Sequence, residues 1–210
     1  MDINLNNYRK HYALGELNES DVPSSPLELF VRWFGDAEVN DQFEPNAMVL
    51  STVSENKPSS RVVLLKEIKE GGFIFFTNYE SRKARDIIEN NNVSLLFFWQ
   101  HLQRQVRVEG IASRIAASES DLYFNQRPFE SRISAIVSPQ SRVIQSREVL
   151  EMKLIEFEQR KETMNRPPYW GGYVVHPMTI EFWQGRPNRL HDRIRYTLND
   201  DGWTIDRLAP

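Results

Sequence analysis

Cysteine is absent from the 210 residues. That excludes thiolate catalysis, cysteine-based zinc sites and disulfides, and it fits a reducing compartment. Long apolar runs are missing too: none approaches the ~18 residues that a membrane span needs. The opening Met1-Asp2-Ile3-Asn4-Leu5 has neither the basic nor the apolar stretch of a secretory leader, so a soluble, cytoplasmic protein is expected. There is no excess of positive charge. With a formal net charge of −3, nothing global draws the chain to nucleic acid or to an anionic membrane, and any anion site must be local. Internal repeats, low-complexity tracts and long linkers are also lacking. One domain over residues 1–210 is therefore expected, large enough for a core that needs no staples.

What is plentiful is aromatic: five Trp, seven Tyr and twelve Phe, which suit a flat ligand and a core equally. The chain is organised around residues 61–84. Arg61-Val62-Val63-Leu64-Leu65-Lys66 and Phe73-Ile74-Phe75-Phe76-Thr77 are short apolar runs separated by Gly71-Gly72. They predict a β-hairpin whose strands are covered on both faces, as in a small barrel. Period-2 geometry puts Arg61 with Val63 and Leu65 on one face, and Lys66 with Val62 and Leu64 on the other. Two cations pointing opposite ways should meet different anions. Ser81 then N-caps a helix carrying Ala84, Ile87 and Ile88 on one face. Arg82 and Lys83 fall in its first turn, where the helix dipole disfavours positive charge by ~0.3–1 kcal/mol each. An anion bound there would reverse the sign of that penalty; a solvated basic turn is the plainer reading.

Elsewhere, residues 2–13 predict a short basic helix with Leu5, Tyr8 and Tyr12 along one side and Arg9, Lys10 and His11 as its charges, readable as a solvated face. Ser25-Pro26-Leu27-Glu28 is a capping box, and Leu27, Phe30, Val31 and Phe34 form the stripe of a helix ending near Gly35. A strand follows over Ala47–Val53, and a turn at Glu55-Asn56-Lys57-Pro58. Val93–Trp99 reads as a buried strand. Residues 103–114 alternate, with Gln105, Arg107 and Glu109 on one face and Val106 and Val108 on the other. A helix from Ser118 is interrupted by Pro128. Tyr123, Arg127 and Ser131 lie four residues apart around that break; on a continuing helix they would share one side as a phosphate grip. Ordinary surface packing of Tyr on Arg would give the same spacing. Ser138-Pro139-Gln140-Ser141 is a turn, and Ser146 caps a helix to about Met164 with Leu150, Leu154 and Phe157 as its stripe. Strands are expected over Gly172–His176, Thr179–Trp183, Arg189–Leu198 and Trp203–Leu208. In the third of these, Arg189, His191 and Arg193 share one face and repel unless an anion or polar ligand sits among them, with Trp183 as an apolar wall.

Eight segments together resemble the pyridoxine (pyridoxamine) 5′-phosphate oxidase family. They are Arg61–Lys66, Thr77-Asn78 with Ser81–Ala84, Arg104-Gln105-Val106, Tyr123-Phe124 with Arg127-Pro128, Trp170-Gly171-Gly172, Glu181–Gly185, Arg189–Arg193 and the ending Ile205–Pro210. The resemblance implies a mainly β chain with peripheral helices (α+β), an FMN-binding split β-barrel working as a homodimer with flavin sites at the subunit interface. It implies a flavin site made of the segment Arg61, Val62, Val63, Leu64, Leu65 and Lys66, with Phe76, Thr77, Arg82, Lys83, Gln105, Gln140, Ser141, Trp183 and Arg193. In that set Arg61, Arg82 and Lys83 hold the FMN phosphate. Lys66, Tyr123, Arg127 and Ser131 would grip the substrate phosphate, Arg189, Leu190 and His191 would lie at the pyridine ring, and Arg189 and His191 would be catalytic. Arg9, Lys10, His11 and Tyr12 match a segment that folds over the substrate, making residues 1–20 a mobile lid. Two departures stand out: Phe76 where a Tyr is also found, and Glu44 where the family can have Asp.

The implied chemistry is hydride transfer from C4′ of pyridoxamine or pyridoxine 5′-phosphate to flavin N5, with reoxidation by oxygen to peroxide and no metal. His191 is expected to assist proton loss with an unperturbed pKa. Phenazine-biosynthesis oxidases are the nearest rival, but a tricyclic substrate has no phosphate for Lys66, Tyr123 and Arg127. Rivals from different functional classes are a non-catalytic carrier of flavin or pyridoxal phosphate and a nucleic-acid-binding barrel.

Overall fold

The computed structural model describes residues 3–7, 10–40, 43–160 and 164–210. Among them the chain is mainly antiparallel β with peripheral helices, as expected. In order it forms α1 (Pro26–Asn40), β1 (Ala47–Ser54), β2 (Lys57–Leu64), β3 (Glu67–Lys69), β4 (Gly72–Asn78), α2 (Arg82–Glu89), β5 (Asn92–Trp99) and β6 (Arg104–Arg114). Then come α3 (Ala117–Gln126), α4 (Phe129–Val137), α5 (Glu148–Arg160), β7 (Trp170–Gln184), β8 (Asp192–Asn199) and β9 (Gly202–Arg207). Backbone pairing runs β2-β1-β5-β6-β7-β4-β3, with β8 on β7 and β9 on β8. No helix among the described residues is long and apolar enough to cross a membrane.

The chain divides into two compact units, the first from residues 1–49, 95–109 and 177–210, the second from 50–94 and 110–176. The first is centred on Phe30, Trp33, Phe97, Trp99, Phe182 and Tyr196, all at most 3 % exposed. Its rings meet mostly edge-on, as Phe30 does on Phe97 at 5.0 Å and Trp33 on Phe182 at 5.2 Å. The second is centred on β4, α2 and the first half of β7, where Phe73, Phe75, Ala84 and Val175 are fully buried.

The expected hairpin forms differently. β4 is buried nearly throughout, as its apolar run requires, but its sequence-local partner is β3, with Glu67 opposite Ile74. β2 pairs with β1 instead, across a turn in which Glu55 and Asn56 both have positive φ. β2 is not covered on both faces either: Val62 is 65 % exposed. Below the turn, the chain bends at Leu65-Lys66, and the Lys66 N–H bonds to the Ile74 carbonyl at 2.8 Å.

Other boundaries also move. The helix expected over residues 2–13 is absent from its described part. Asn6 N–H bonds back to the Asn4 side chain at 2.9 Å, an Asx turn that competes with helix; Tyr8 and Arg9 lie outside the described residues. α1 runs past Gly35, because a lone glycine costs a helix only ~1 kcal/mol. Its buried side is Leu29, Phe30, Trp33 and Ala37, while Val31 faces solvent. On α2, Ile87 is buried but Ile88 is 65 % exposed, Asp86 taking the inner position. β5 alternates, with Phe98 outward. α5 is described to Arg160, and Met164 is not helical. The two strands expected around Pro177 are one, β7. It pairs with β4 as far as Val175 and with β8 from Thr179, so the residue without an N–H sits where the partner changes.

Candidate functional site

The first cluster belongs to the second unit. Ser81 stands at the start of α2, but its hydroxyl makes no capping bond to the backbone; the helix turns Lys83 inward while Arg82 stays exposed. Lys83 as a whole residue is only 9 % exposed. It donates to Gln140 Oε1 at 3.0 Å, Thr77 Oγ1 at 3.2 Å and Ser81 Oγ at 3.4 Å. All three acceptors are neutral. Burial, then the charge of Arg61, pull its pKa down to about 8.

Arg61 is half-buried and oriented by four groups. It donates to Thr52 Oγ1 and Ser59 Oγ, each at 2.8 Å, and to the Leu50 carbonyl at 3.2 Å, with Asp86 Oδ2 at 3.7 Å. The Thr52 hydroxyl donates to Asp86 Oδ2 at 2.7 Å, so one buried carboxylate holds both Thr52 and Arg61. Burial nevertheless lowers the Arg61 pKa. Of the two cations only Arg61 has a carboxylate beside it, Asp86, and Lys83 has neutral partners alone. A dianionic phosphate is the kind of group this arrangement fits. Val62, Val63, Leu64 and Leu65 lead from Arg61 toward Lys66, and Ser141 (φ +69°) follows Gln140 in the turn read from Ser138.

The second cluster is in the same unit. Lys66, Phe76, Ile115 and Tyr123 line a cavity of about 230 Å³, with the Lys69–Glu119 ion pair beside it. Phe76 stacks on Tyr123 at 3.8 Å between centroids, Tyr123 is parallel to Trp170 at 6.2 Å, and the Arg127 guanidinium lies 4.6 Å over the Trp170 ring. Helix α3 ends at Gln126 and Arg127 is extended, so the shared helical side expected of Tyr123, Arg127 and Ser131 does not form. Tyr123 and Arg127 still meet through Trp170. Ser131 is half-buried in the first turn of α4, outside the cavity lining. Burial raises the Tyr123 pKa and lowers that of Arg127. Arg61 and Lys66 sit in different surroundings, but not by strand alternation: β2 ends at Leu64, and the bend at Leu65-Lys66 sets the direction of Lys66.

The third cluster is in the first unit. Arg189 and His191 precede β8 instead of lying on it: Pro187–Arg189 is a tight 3-10 turn in which Asn188 and Arg189 have φ of +57° and +63°. The single basic face expected of Arg189, His191 and Arg193 is therefore not formed. Pro187 has no N–H for a strand ladder, which ends the pairing at Gln184–Asp192. His191 packs 4.6 Å from Trp183, so the apolar wall is real. Its Nδ1 accepts the Arg186 N–H at 3.1 Å. Its pKa is not unperturbed: burial, then Arg189, lower it against the opposing pull of Asp192. At neutral pH the ring is neutral with its proton on Nε2. Leu190 is exposed. Arg193, opposite Trp183 in register, donates to Glu181 at 2.8 Å and to the Ala209 carbonyl at 2.8 Å. Glu181 is 4 % exposed and also takes Arg107 at 2.6 Å. Gln105 is half-buried one position along its strand face from Arg107. Tyr12 lies edge-on to both Trp183 (5.9 Å) and His191 (5.8 Å), whereas Lys10 and His11 are exposed. No group of His, Asp or Glu among the described residues has the grouping of a metal site.

Sequence reasoning gave no role to Asp86, Thr52, Glu181 or Gln103. Glu181 lay within a resembling segment, but only the fold shows it between two arginines.

A family model described as pyridoxamine 5′-phosphate oxidase matches residues 36–161, and one described as the pyridoxine 5′-phosphate oxidase C-terminal dimerisation region matches residues 170–210. The chain belongs to the pyridoxine/pyridoxamine 5′-phosphate oxidase family. Members named for that activity include one from a Cyanothece strain, 49 % identical with 100 % of both chains covered. Another, from Bordetella pertussis, is 50 % identical over 99 % of this chain and 100 % of its own. Among solved structures, PhzG from Burkholderia lata, in complex with tetrahydrophenazine-1-carboxylic acid, superposes with a TM-score of 0.86 at 33 % identity, covering 91 % of this chain and 95 % of that one. A pyridoxamine 5′-phosphate oxidase-related, FMN-binding protein from Nostoc punctiforme shares the split-barrel fold at TM-score 0.72 and 16 % identity, over 90 % of this chain and 100 % of its own.

Proposed function

We propose that the chain is an FMN-dependent oxidase that converts pyridoxamine or pyridoxine 5′-phosphate to pyridoxal 5′-phosphate. The observation that carries this reading is the buried Lys83 ammonium, held by neutral oxygens beside Arg61, in a member of this family. Lys83, Arg61 and Thr77 would hold the cofactor phosphate, with Arg82 adding charge at the rim and Gln140 and Ser141 contributing from their turn. Gln105, Trp183 and Arg193 would line the rest of the flavin, some of them contributed by the partner subunit of the homodimer. The match to a dimerisation region over residues 170–210 supports a homodimer with flavin sites at the subunit interface. When bound, flavin mononucleotide supplies the two-electron acceptor chemistry that no side chain has, with oxygen as the final acceptor.

The protein's own task is positioning. Lys66, Tyr123 and Arg127 fit the substrate phosphate: a cation and a phenol beside one cavity, with a guanidinium anchored on Trp170. Ser131 would join them only from its separate place on α4. Arg189 stands on a strained turn next to His191, and both would meet the pyridine ring. Because Nδ1 already accepts the Arg186 N–H, His191 offers Nε2–H as a donor; it would orient the ring and hold a proton there, not remove one. The net change for the amine is substrate, oxygen and water to aldehyde, ammonia and hydrogen peroxide; the alcohol needs no water and releases no ammonia. The Burkholderia neighbour raises a tricyclic substrate as a rival, but Lys66 beside Tyr123 favours a phosphorylated one.

The test is turnover. Purified protein loaded with FMN should form peroxide and pyridoxal 5′-phosphate in equal amounts on adding pyridoxamine 5′-phosphate in air, and no peroxide would end the reading. Lys66→Met should raise KM about tenfold, the ~1.5 kcal/mol of one hydrogen bond to a charged group. Its kcat should stay within a factor of about two, because phosphate binding far from the reacting carbon is uniform binding.

A further inference from the structure

Residues 12–17 lie against the first unit as a strap fastened at three points. The side-chain oxygen of Gln103 accepts two backbone N–H groups, from Ala13 at 3.0 Å and Leu14 at 3.3 Å. The Arg186 guanidinium then takes the Gly15 carbonyl at 3.2 Å and the Glu16 carboxylate at 2.6 Å. Last, Leu17 N–H donates to Asp192 at 3.1 Å. Tyr12 comes immediately before the Gln103 fastening, and it is the strap residue whose ring meets Trp183 and His191.

Gln103 is itself held in place by its backbone. It ends the turn Gln100–Leu102 in the left-handed region (φ 53°, ψ 40°), with its N–H on the Gln100 carbonyl. Its own carbonyl accepts the Gly185 N–H at 2.8 Å and the Gln184 side-chain amide at 3.2 Å. The direction of the side chain is therefore set by the main chain beneath it. Gly185 supplies the room: a Cβ there would lie 3.0 Å from Tyr12 Cγ, 3.1 Å from Tyr12 Cβ and 3.1 Å from Gln103 Cβ.

We propose that Gln103 is a positioning residue for the oxidation, fixing the strap so that the Tyr12 ring is kept against the Trp183–His191 pair where the pyridine ring of the substrate would bind. This rests on the function proposed above. Gln103 acts by making two strap amides converge on one oxygen, so that Tyr12 arrives already placed and substrate binding need not order it.

Two substitutions separate the side chain from the fold. Gln103→Asn keeps a residue that tolerates left-handed backbone and shortens the reach by one methylene. Gln103→Glu keeps the reach and offers a charged acceptor. Hydrogen exchange of the Ala13 and Leu14 amides in the full chain should quicken about tenfold in Gln103→Asn and stay slow in Gln103→Glu. With pyridoxamine 5′-phosphate, Gln103→Asn and Gly185→Ala should each raise KM about five- to tenfold and leave kcat within about twofold. Gln103→Glu should match the wild type, and FMN affinity should be equal in all four proteins. Unchanged exchange in Gln103→Asn would overturn the fastening, and faster exchange with an unchanged KM would overturn the role in substrate binding. A wild-type chain that oxidises neither vitamer would instead sink the proposed function, while the exchange pattern would still decide whether Gln103 holds the strap.

Discussion

Lys83→Met should weaken FMN binding at least about a hundredfold, with no loss of stability in the flavin-free protein. Methionine keeps the bulk of the stem and removes only the charge. A buried ion pair with phosphate is worth ~2–5 kcal/mol when one partner is truncated, and a hundredfold corresponds to about 2.7 kcal/mol. Stability should hold because the ammonium is buried among neutral acceptors, so the free protein loses an unpaired charge along with its hydrogen bonds. The pH dependence follows with a definite sign. Lys83 titrates at about 8 in the free protein, below its ordinary 10.5. FMN affinity should fall as pH rises through 8, because the cation that receives phosphate is lost. Stability of the free protein should do the reverse. Where the unfolded chain still binds a proton that the folded one has released, between about 8 and 10.5, raising the pH favours folding. Lys83→Met should show neither trend. Fluorescence titration of FMN against pH, with denaturant midpoints of the free protein, checks both.

Gly171→Val should destabilise the fold by about 3 kcal/mol, the upper end of what overpacking a core costs. In the β4–β7 ladder Gly171 is opposite Thr77 and Gly172 opposite Phe76, so this pair of glycines backs both side-chain clusters of the second unit. A Cβ on Gly171 would lie 2.2 Å from the Tyr79 hydroxyl, 2.8 Å from its Cζ and 2.9 Å from Ser120 Oγ. The phenol cannot yield easily. It donates to the Gly172 carbonyl at 3.1 Å, and Ser120 accepts the Gly172 N–H at 3.1 Å, so moving either ring or hydroxyl breaks a buried bond. At Gly172 the first obstacle is the tip of Ile115 at 2.4 Å, a flexible end that can turn away, although Phe76 is behind it at 3.0 Å. Gly172→Ala should therefore cost only about 1 kcal/mol. Denaturant midpoints separate the two; equal, small shifts would mean that the glycines are not there for packing.

The parts of this protein that could be read from the chain are those where local pattern and tertiary demand agree. The apolar run of β4, the alternation of Val106 and Val108, the Ser81 helix start and the break at Pro128 all form as their residues dictate. The plainer reading of Arg82 and Lys83 as a solvated turn holds for exposed Arg82 and fails for Lys83, which is buried. What could not be read depends on residues far apart. Pro177 suggested a break, yet β7 continues through it because its ladder partner changes there. Arg189 and His191 alternate as a strand would, but Pro187 and two left-handed residues turn them off it. Glu181 between Arg107 and Arg193, and Gln103 under the strap, carry no local signal at all. Each is an ordinary polar residue until a segment 12 to 90 positions away reaches it.

A titration of the flavin-free chain with FMN and with riboflavin, the same ring system without the phosphate, bears most directly on the buried cations. FMN should bind at least about a hundredfold more tightly than riboflavin in the wild type, with most of that gap gone in Lys83→Met. Equal affinity for the two flavins in the wild-type protein would contradict it, and Lys83 and Arg61 would then need another anion.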